Sequence, residues 1–198
     1  MDSLIQHFIN NEVKQSYEVK IKLLEDDRLM ALVGEVTEKC LEVYKRGNKT
    51  LIAGNGGSAG DAQHMAAELA GRFNFDRPGI PSIALTANTS TLTAIGNDYG
   101  YEKVFSRQVQ SNGIEGDMFI GISTSGNSVN IVKAIEESKK MGIITVGLTG
   151  ASDSKMSENC DYCIRVPSIS TPRIQECHIL LIHIFCGVVE ESLFGRGF

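Results

Sequence analysis

The chain has no surplus of positive charge. Against 19 Lys and Arg stand 24 Asp and Glu, a net charge of −5, so it carries no electrostatic footprint for nucleic acid or for an anionic membrane surface. It reads as lacking any apolar run long enough to cross a bilayer. Its opening stretch, MDSLIQHFINNEVKQ, has no basic leader ahead of an apolar segment and is not read as a secretory signal. A regular cysteine pattern is missing too: five cysteines, an odd number, suit a reducing cytoplasm better than a disulfide framework. Cys160 and Cys163 form a CxxC pair with no second pair, inside the strand-like DYCIRV, and are read as two strand residues. Linkers, repeats and low-complexity blocks are also absent. The expectation is one domain of 198 residues, large enough to bury a core without disulfides or a structural metal.

What is present is alternation. Two helical stretches come first, at 2–24 and 27–46, the second with Leu29, Leu32, Val33, Val36, Cys40, Leu41 and Tyr44 on one apolar stripe. Apolar runs with strand character follow at 50–54, 81–86, 117–123, 144–149 and 161–167, separated by helical patterns at 58–72, 90–96, 101–112, 127–141 and 173–194. Continuous apolar strands between helices predict a five-stranded parallel sheet covered on both faces, a doubly wound three-layer α/β/α sandwich. Ligands of such sheets bind beyond the carboxyl ends of the strands.

Three segments at those ends carry unusual chemistry. GNGGS at 54–58 allows backbone N–H groups to approach an anion, with Ser58 read as the cap of the next helix. STSGNS at 123–128 supplies four hydroxyls, a glycine and a helix start, without a lysine. That suits a phosphate monoester needing no bound magnesium. GND at 96–98 is the third. Gly54, Gly56 and Ala59 satisfy the dinucleotide pattern, but the next strand ends Leu85-Thr86-Ala87-Asn88 with no acid to hold a ribose. A triphosphate loop is disfavoured because Lys49-Thr50 precedes the glycines instead of following them.

The helix leaving the first loop carries Asp61, His64 and Glu68 at spacings that share one face. The last helix, RIQECHILLIHIFCGVVEESLF, is apolar almost all round, as expected of a central helix or an interface. Gln175 and His183 are two turns apart and can converge on one pocket; His178 is rotated away. Buried polar groups in so apolar a setting need partners, or desolvation costs about 1–3 kcal/mol each.

With GNGGS, the DxxHxxxE run at 61–68, GND, GISTSGNS, RVP, RIQECH and the later His183 assembled, nearly the whole chain resembles the bacterial phosphoheptose isomerases of the sugar-isomerase (SIS) domain family. The resemblance implies a single SIS domain over 1–198, with the helices within 1–46 used in oligomer packing. It also implies a cytoplasmic homotetramer with active sites shared between subunits, and no nucleic-acid or membrane partner. The implied reaction interconverts D-sedoheptulose 7-phosphate and D-glycero-D-manno-heptose 7-phosphate, at the entry to heptose synthesis for lipopolysaccharide or capsule. By matching position, Ser123, Thr124, Ser125 and Ser128 would hold the phosphate. Asn55, Gly56, Gly57, Asn97, Asp98, Glu68 and Gln175 would meet the sugar. His64, Glu68, Gln175 and His183 would bind zinc, and Glu68 with His183 would form the acid/base pair. One departure is Pro172 ahead of RIQE, where the family has a small or acidic residue, so no substrate contact is expected there. The alternative in another class is a non-catalytic SIS module that binds phosphosugars or the replication initiator. An isomerase for a different phosphosugar is a third reading.

Overall fold

The structure, a computed structural model, describes residues 3–195. Among them, helices α1 (Ser3–Leu24) and α2 (Asp27–Lys45) precede β1 (Thr50–Gly54), α3 (Gly57–Ala70), β2 (Ser82–Ala84) and α4 (Thr89–Tyr99). A 3-10 turn (Tyr101–Lys103) then leads to α5 (Ser106–Asn112), β3 (Met118–Ile122), α6 (Val129–Lys140), β4 (Ile144–Thr149), α7 (Lys155–Asn159), β5 (Tyr162–Arg165) and α8 (Thr171–Phe194). The five strands pair in parallel throughout, in the order β2-β1-β3-β4-β5.

Side-chain alternation along the strands feeds two cores. Ile52, Ile120, Val146 and Ile164 face α2, α3 and α8, and pack with Val33, Val36, Met65, Leu69, Leu181 and Phe185. Leu51, Ala53 and Phe119 face the other layer, meeting Phe105 at the cap of α5, Val109 of α5, and Ile131 and Ile135 of α6. Both faces of the three central strands are therefore dry, the condition that makes parallel strands read as unbroken apolar runs.

Two expectations need correction, and one helix was not expected at all. In ASDSKMSEN, Ser154 and Ser157 form a reciprocal capping box and start α7, where a serine cap satisfies orphan helix donors. The helix expected at 101–112 is broken into the 3-10 turn and α5. And α8 is long and apolar enough to cross a membrane by length and composition. It is instead seated in the core. Buried Arg173, His178 and Glu190 on it find partners within the chain, as a core helix requires.

His178 is a core histidine with one ring nitrogen partnered and Nδ1 left without a partner. It is fully buried, with Nε2 3.2 Å from the Thr149 carbonyl, and burial pulls its pKa down from 6.5 to about 4. Cys160 and Cys163 are both free thiols, pushed up chiefly by burial, which disfavours the nucleophilic thiolate. Helix α1 buries only Val19 and Leu23, and leaves Leu4, Ile5, Phe8, Ile9, Val13 and Tyr17 exposed.

Candidate active site

Strand order reverses between β1 and β3, because β2 lies outside β1 on one side and β4 outside β3 on the other. Such a reversal opens a crevice at the carboxyl ends of the two central strands. GNGGS leaves β1 and STSGNS leaves β3 at that point.

The first turn is tight. A Cβ on Gly54 would lie 2.6 Å from the backbone C of Ser58, so only glycine lets strand and helix meet this closely. Gly56, at φ 57°, is the residue that caps α3. Ser58, expected in that role, lies inside the first turn and is buried. Asn55 does not point freely into the crevice. Its amide exchanges two 2.9 Å hydrogen bonds with the buried amide of Asn130 and accepts from the Tyr101 hydroxyl at 3.1 Å. The sequence reading missed Asn130 and Tyr101. The available signal was a lone Asn on the face of α6 that otherwise carries Ile131, Ala134 and Ile135 into the core.

The second turn forms a hydroxyl cup. Ser123 Oγ lies 2.9 Å from Ser128 Oγ and 3.5 Å from Ser125 Oγ. Ser128 caps α6 through its backbone position with no side-chain cap hydrogen bond, leaving first-turn N–H groups of α6 for an anion. Gly126, at φ 65°, provides the left-handed residue that curls the loop. Thr124 and Ser125 open on a cavity of about 310 Å³ bounded by Gly150, Ser168 and Ile174. Ser128 and Asn130 open on another of about 410 Å³ with Asn55 and Tyr101.

Helices α3 and α8 run side by side in the same direction: Gly57 meets Gln175, His64 meets His183, and Phe73 meets Gly187. His64 Nε2 lies 2.9 Å from His183 Nε2 and 3.3 Å from Glu68 Oε1. The His64 and Glu68 side chains are 43% and 27% exposed, accessible yet not freely solvated. Asp61, one turn back, has one unpartnered buried oxygen; burial raises its pKa, opposed by the nearby His64. Gln175 packs its amide against Gly57, where a Cβ would stand 3.1 Å from Cδ. It therefore sits about two turns, roughly 10 Å, along the helix pair from the histidines.

Asn97 and Asp98 are not brought to this cluster. They occupy the last residues of α4 rather than a loop, both exposed, with Asn97 donating to Asp98 at 2.8 Å. Asn88 caps that helix by accepting from Thr91 N–H, and the helix expected at 90–96 runs on through GND to Tyr99.

The donors of the His64 cluster suit a metal in type. Four-coordinate zinc with nitrogen ligands at ~2.0–2.1 Å places neighbouring donors about 3.3 Å apart. The His64–Glu68 pair already stands at that spacing, and the two histidines would open by a few tenths of an ångström. Among the described residues, no group of three or more His, Cys, Asp or Glu side chains stands at metal-holding geometry as a set. The convergence is pairwise.

Sheet order, hydroxyl cup and paired helices together define an α/β domain of the SIS type, and the family described as the SIS domain matches residues 20–150. A phosphoheptose isomerase from Aneurinibacillus thermoaerophilus is 61% identical over 191 residues, 96% of each chain. Phosphoheptose isomerase 2 from Campylobacter jejuni is 59% identical over 194 residues, 98% of this chain and 96% of its own. Among solved structures, a phosphoheptose isomerase from Neisseria gonorrhoeae superposes with a TM-score of 0.89 at 38% identity, over 94% of this chain and 99% of that one. The chain belongs to the phosphoheptose isomerase family.

Proposed function

We propose that the protein is a ketose–aldose isomerase that converts D-sedoheptulose 7-phosphate to D-glycero-D-manno-heptose 7-phosphate. The observation that carries this reading is the place of His64, on the helix that leaves the β1 turn, 3.3 Å from Glu68 of the same helix and 2.9 Å from His183 of α8. Isomerisation moves a proton between adjacent carbons through an enediol, so it needs a base at carbon and a shuttle between two oxygens. Glu68 takes the proton from C1 and returns it to C2. His183 carries a proton from O1 to O2. Ser123, Thr124, Ser125 and Ser128, with the start of α6, hold the phosphate and supply the orientation that makes the transfer effectively intramolecular. Asn55, Gly56, Gly57 and Gln175 meet the sugar hydroxyls.

Zinc would be held by His64, Glu68 and His183, joined by Gln175 once its amide left its seat on Gly57 and reached toward the histidines, and when bound would polarise the carbonyl and hydroxyl oxygens. Glu68 cannot be ligand and base at once, and activity after chelation separates the two roles: an unchanged rate leaves Glu68 as the base. The exposed apolar face of α1 supports a homotetramer, in which Asn97 and Asp98 of one subunit would serve a neighbour's site. We place the protein in the cytoplasm, its product feeding lipopolysaccharide or capsule heptose. Retention of Glu68, Gln175 and His183 weighs against a non-catalytic regulator. The test is turnover of sedoheptulose 7-phosphate by purified protein and by Glu68→Gln, which should keep fold and phosphate binding and lose activity. Near-wild-type turnover in that variant would overturn the assignment.

A further inference from the structure

Below the reaction centre, α3 and α8 are joined by a buried ion pair. Arg77 Nε donates to Glu190 Oε1 at 3.1 Å, with the two side chains 1% and 0% exposed. The Glu190 oxygens also accept from the backbone N–H groups of Phe73 at 2.7 Å and Asn74 at 2.6 Å. Both oxygens of a carboxylate on α8 are thus spent on the segment that leaves α3. The guanidinium turns its other donors back on α3: Nη2 to the carbonyl of Glu68 at 2.8 Å, and Nη1 to the carbonyls of Leu69 at 2.5 Å and Gly71 at 2.9 Å. Carbonyls at a helix end lack intrahelical partners, and here one cation collects several of them, including the carbonyl of Glu68 itself.

A buried ion pair is weak evidence of stabilisation, because apolar residues of similar volume often do as well. This pair does what apolar residues could not. It fixes the helices along their length and fixes the course of the chain at Phe73. The Phe73 ring lies 5.7 Å from the His183 ring, tilted by 35°. It is admitted by Gly187, where a Cβ would press to 3.2 Å of Phe73 Cε1. One contact chain therefore runs from Glu190 to the backbone of Phe73, from its ring to His183, and through Arg77 to the main chain of Glu68.

We infer that Glu190, acting through Arg77 and Phe73, is a positioning residue for the isomerase reaction: it sets the register of α8 on α3 and the seat of the His183 ring against Glu68 and His64. It touches no substrate atom. This inference rests on the assignment of Glu68 and His183 as the acid/base pair. Displacements of about 1 Å can cost up to about 100-fold in rate without loss of substrate affinity.

Two variants test it. Glu190→Asp keeps the charge and withdraws it by one methylene; Phe73→Leu keeps the ion pair and removes the ring. Each should lower kcat on sedoheptulose 7-phosphate by roughly 10- to 100-fold with KM within about twofold. The chain has four histidines, so histidine-labelled protein gives a simple ring spectrum. The His183 signal should move in both variants while that of His178, packed on the sheet side, stays. Wild-type kcat in both variants, or an unmoved His183 signal, overturns the inference. If Glu190→Asp does not fold, Arg77→Lys, which keeps the charge and loses the guanidinium fork that reaches both Glu190 and the Glu68 carbonyl, takes its place with the same expected and refuting results. Absence of turnover in the wild-type protein defeats the isomerase reading instead, and the ring signals still decide whether Glu190 positions His183.

Discussion

His178 gives the most direct electrostatic prediction. Its imidazole has no exposed surface, and its one partner is the Thr149 carbonyl, which already accepts from Val166 N–H at 2.9 Å. Nδ1 has no partner. Burial disfavours the charged ring, and the hydrogen bond to Thr149 offsets only part of that, so the pKa falls from 6.5 to about 4. In the unfolded chain the ring takes up a proton below pH 6.5; in the folded chain it resists until near pH 4. The unfolded state therefore binds more protons across that window, and stability present above pH 6.5 is lost as pH falls toward 4. At 1.36 kcal/mol per unit the full loss is about 3 kcal/mol, of which about 2 kcal/mol is gone by pH 5. His178→Leu removes the titration and the orphan acceptor at the cost of one hydrogen bond worth about 1 kcal/mol. Urea unfolding of both proteins at fixed protein concentration, at pH 7.5 and pH 5.0, isolates the effect, because the other groups are common to both. The variant should gain about 2 kcal/mol on the wild type between the two pH values. A gap that changes by less than about 0.5 kcal/mol would refute a buried, neutral His178.

The remaining predictions concern the crevice and its support. Gly57→Ala should leave the fold intact, since its backbone has no left-handed strain, but push the Gln175 amide off its seat; loss of about 10-fold in kcat/KM is expected, and unchanged kinetics would remove Gln175 from the sugar site. Ser128→Ala deletes a hydroxyl paired with Ser123 at 2.9 Å, and should raise KM about 10-fold at nearly constant kcat, as loss of one charged-group hydrogen bond does. Asp117, fully buried, accepts from Lys49 Nζ at 2.7 Å, from the Lys49 and Ile114 N–H groups and from Asn48. Burial pushes its carboxyl up, but these donors outweigh burial and hold it below the usual range. Asp117→Ala should cost about 3–5 kcal/mol in urea unfolding by stranding buried donors, and the wild-type contribution should be present above the ordinary carboxylate pKa and fade as pH falls through the lowered one.

The sheet and its two loops were legible because their causes are local. Leu51-Ile52-Ala53 and Phe119-Ile120 are apolar on both faces, and Gly54, Gly56 and Gly126 mark places where backbone geometry or close approach demands glycine. GND was misread for an equally local reason: the helix expected at 90–96 stops only at Gly100, whose φ of 86° makes it the terminating residue, and not at Gly96. The catalytic cluster belongs to another category. Spacing put His64 beside Glu68 on one helix face, but nothing in the spacing of α8 says which of its turns lies against α3. That register comes from contacts more than a hundred residues apart, Gln175 on Gly57, His183 on His64 and Glu190 on the backbone of Phe73. The site therefore has two origins. Strand-end loops supply a hydroxyl cup that the sheet reversal would place in any such fold, whereas the acid/base group exists only when two helices lock in one register. Variants that loosen the lock should spare phosphate affinity and lose turnover, and variants in the cup should do the reverse.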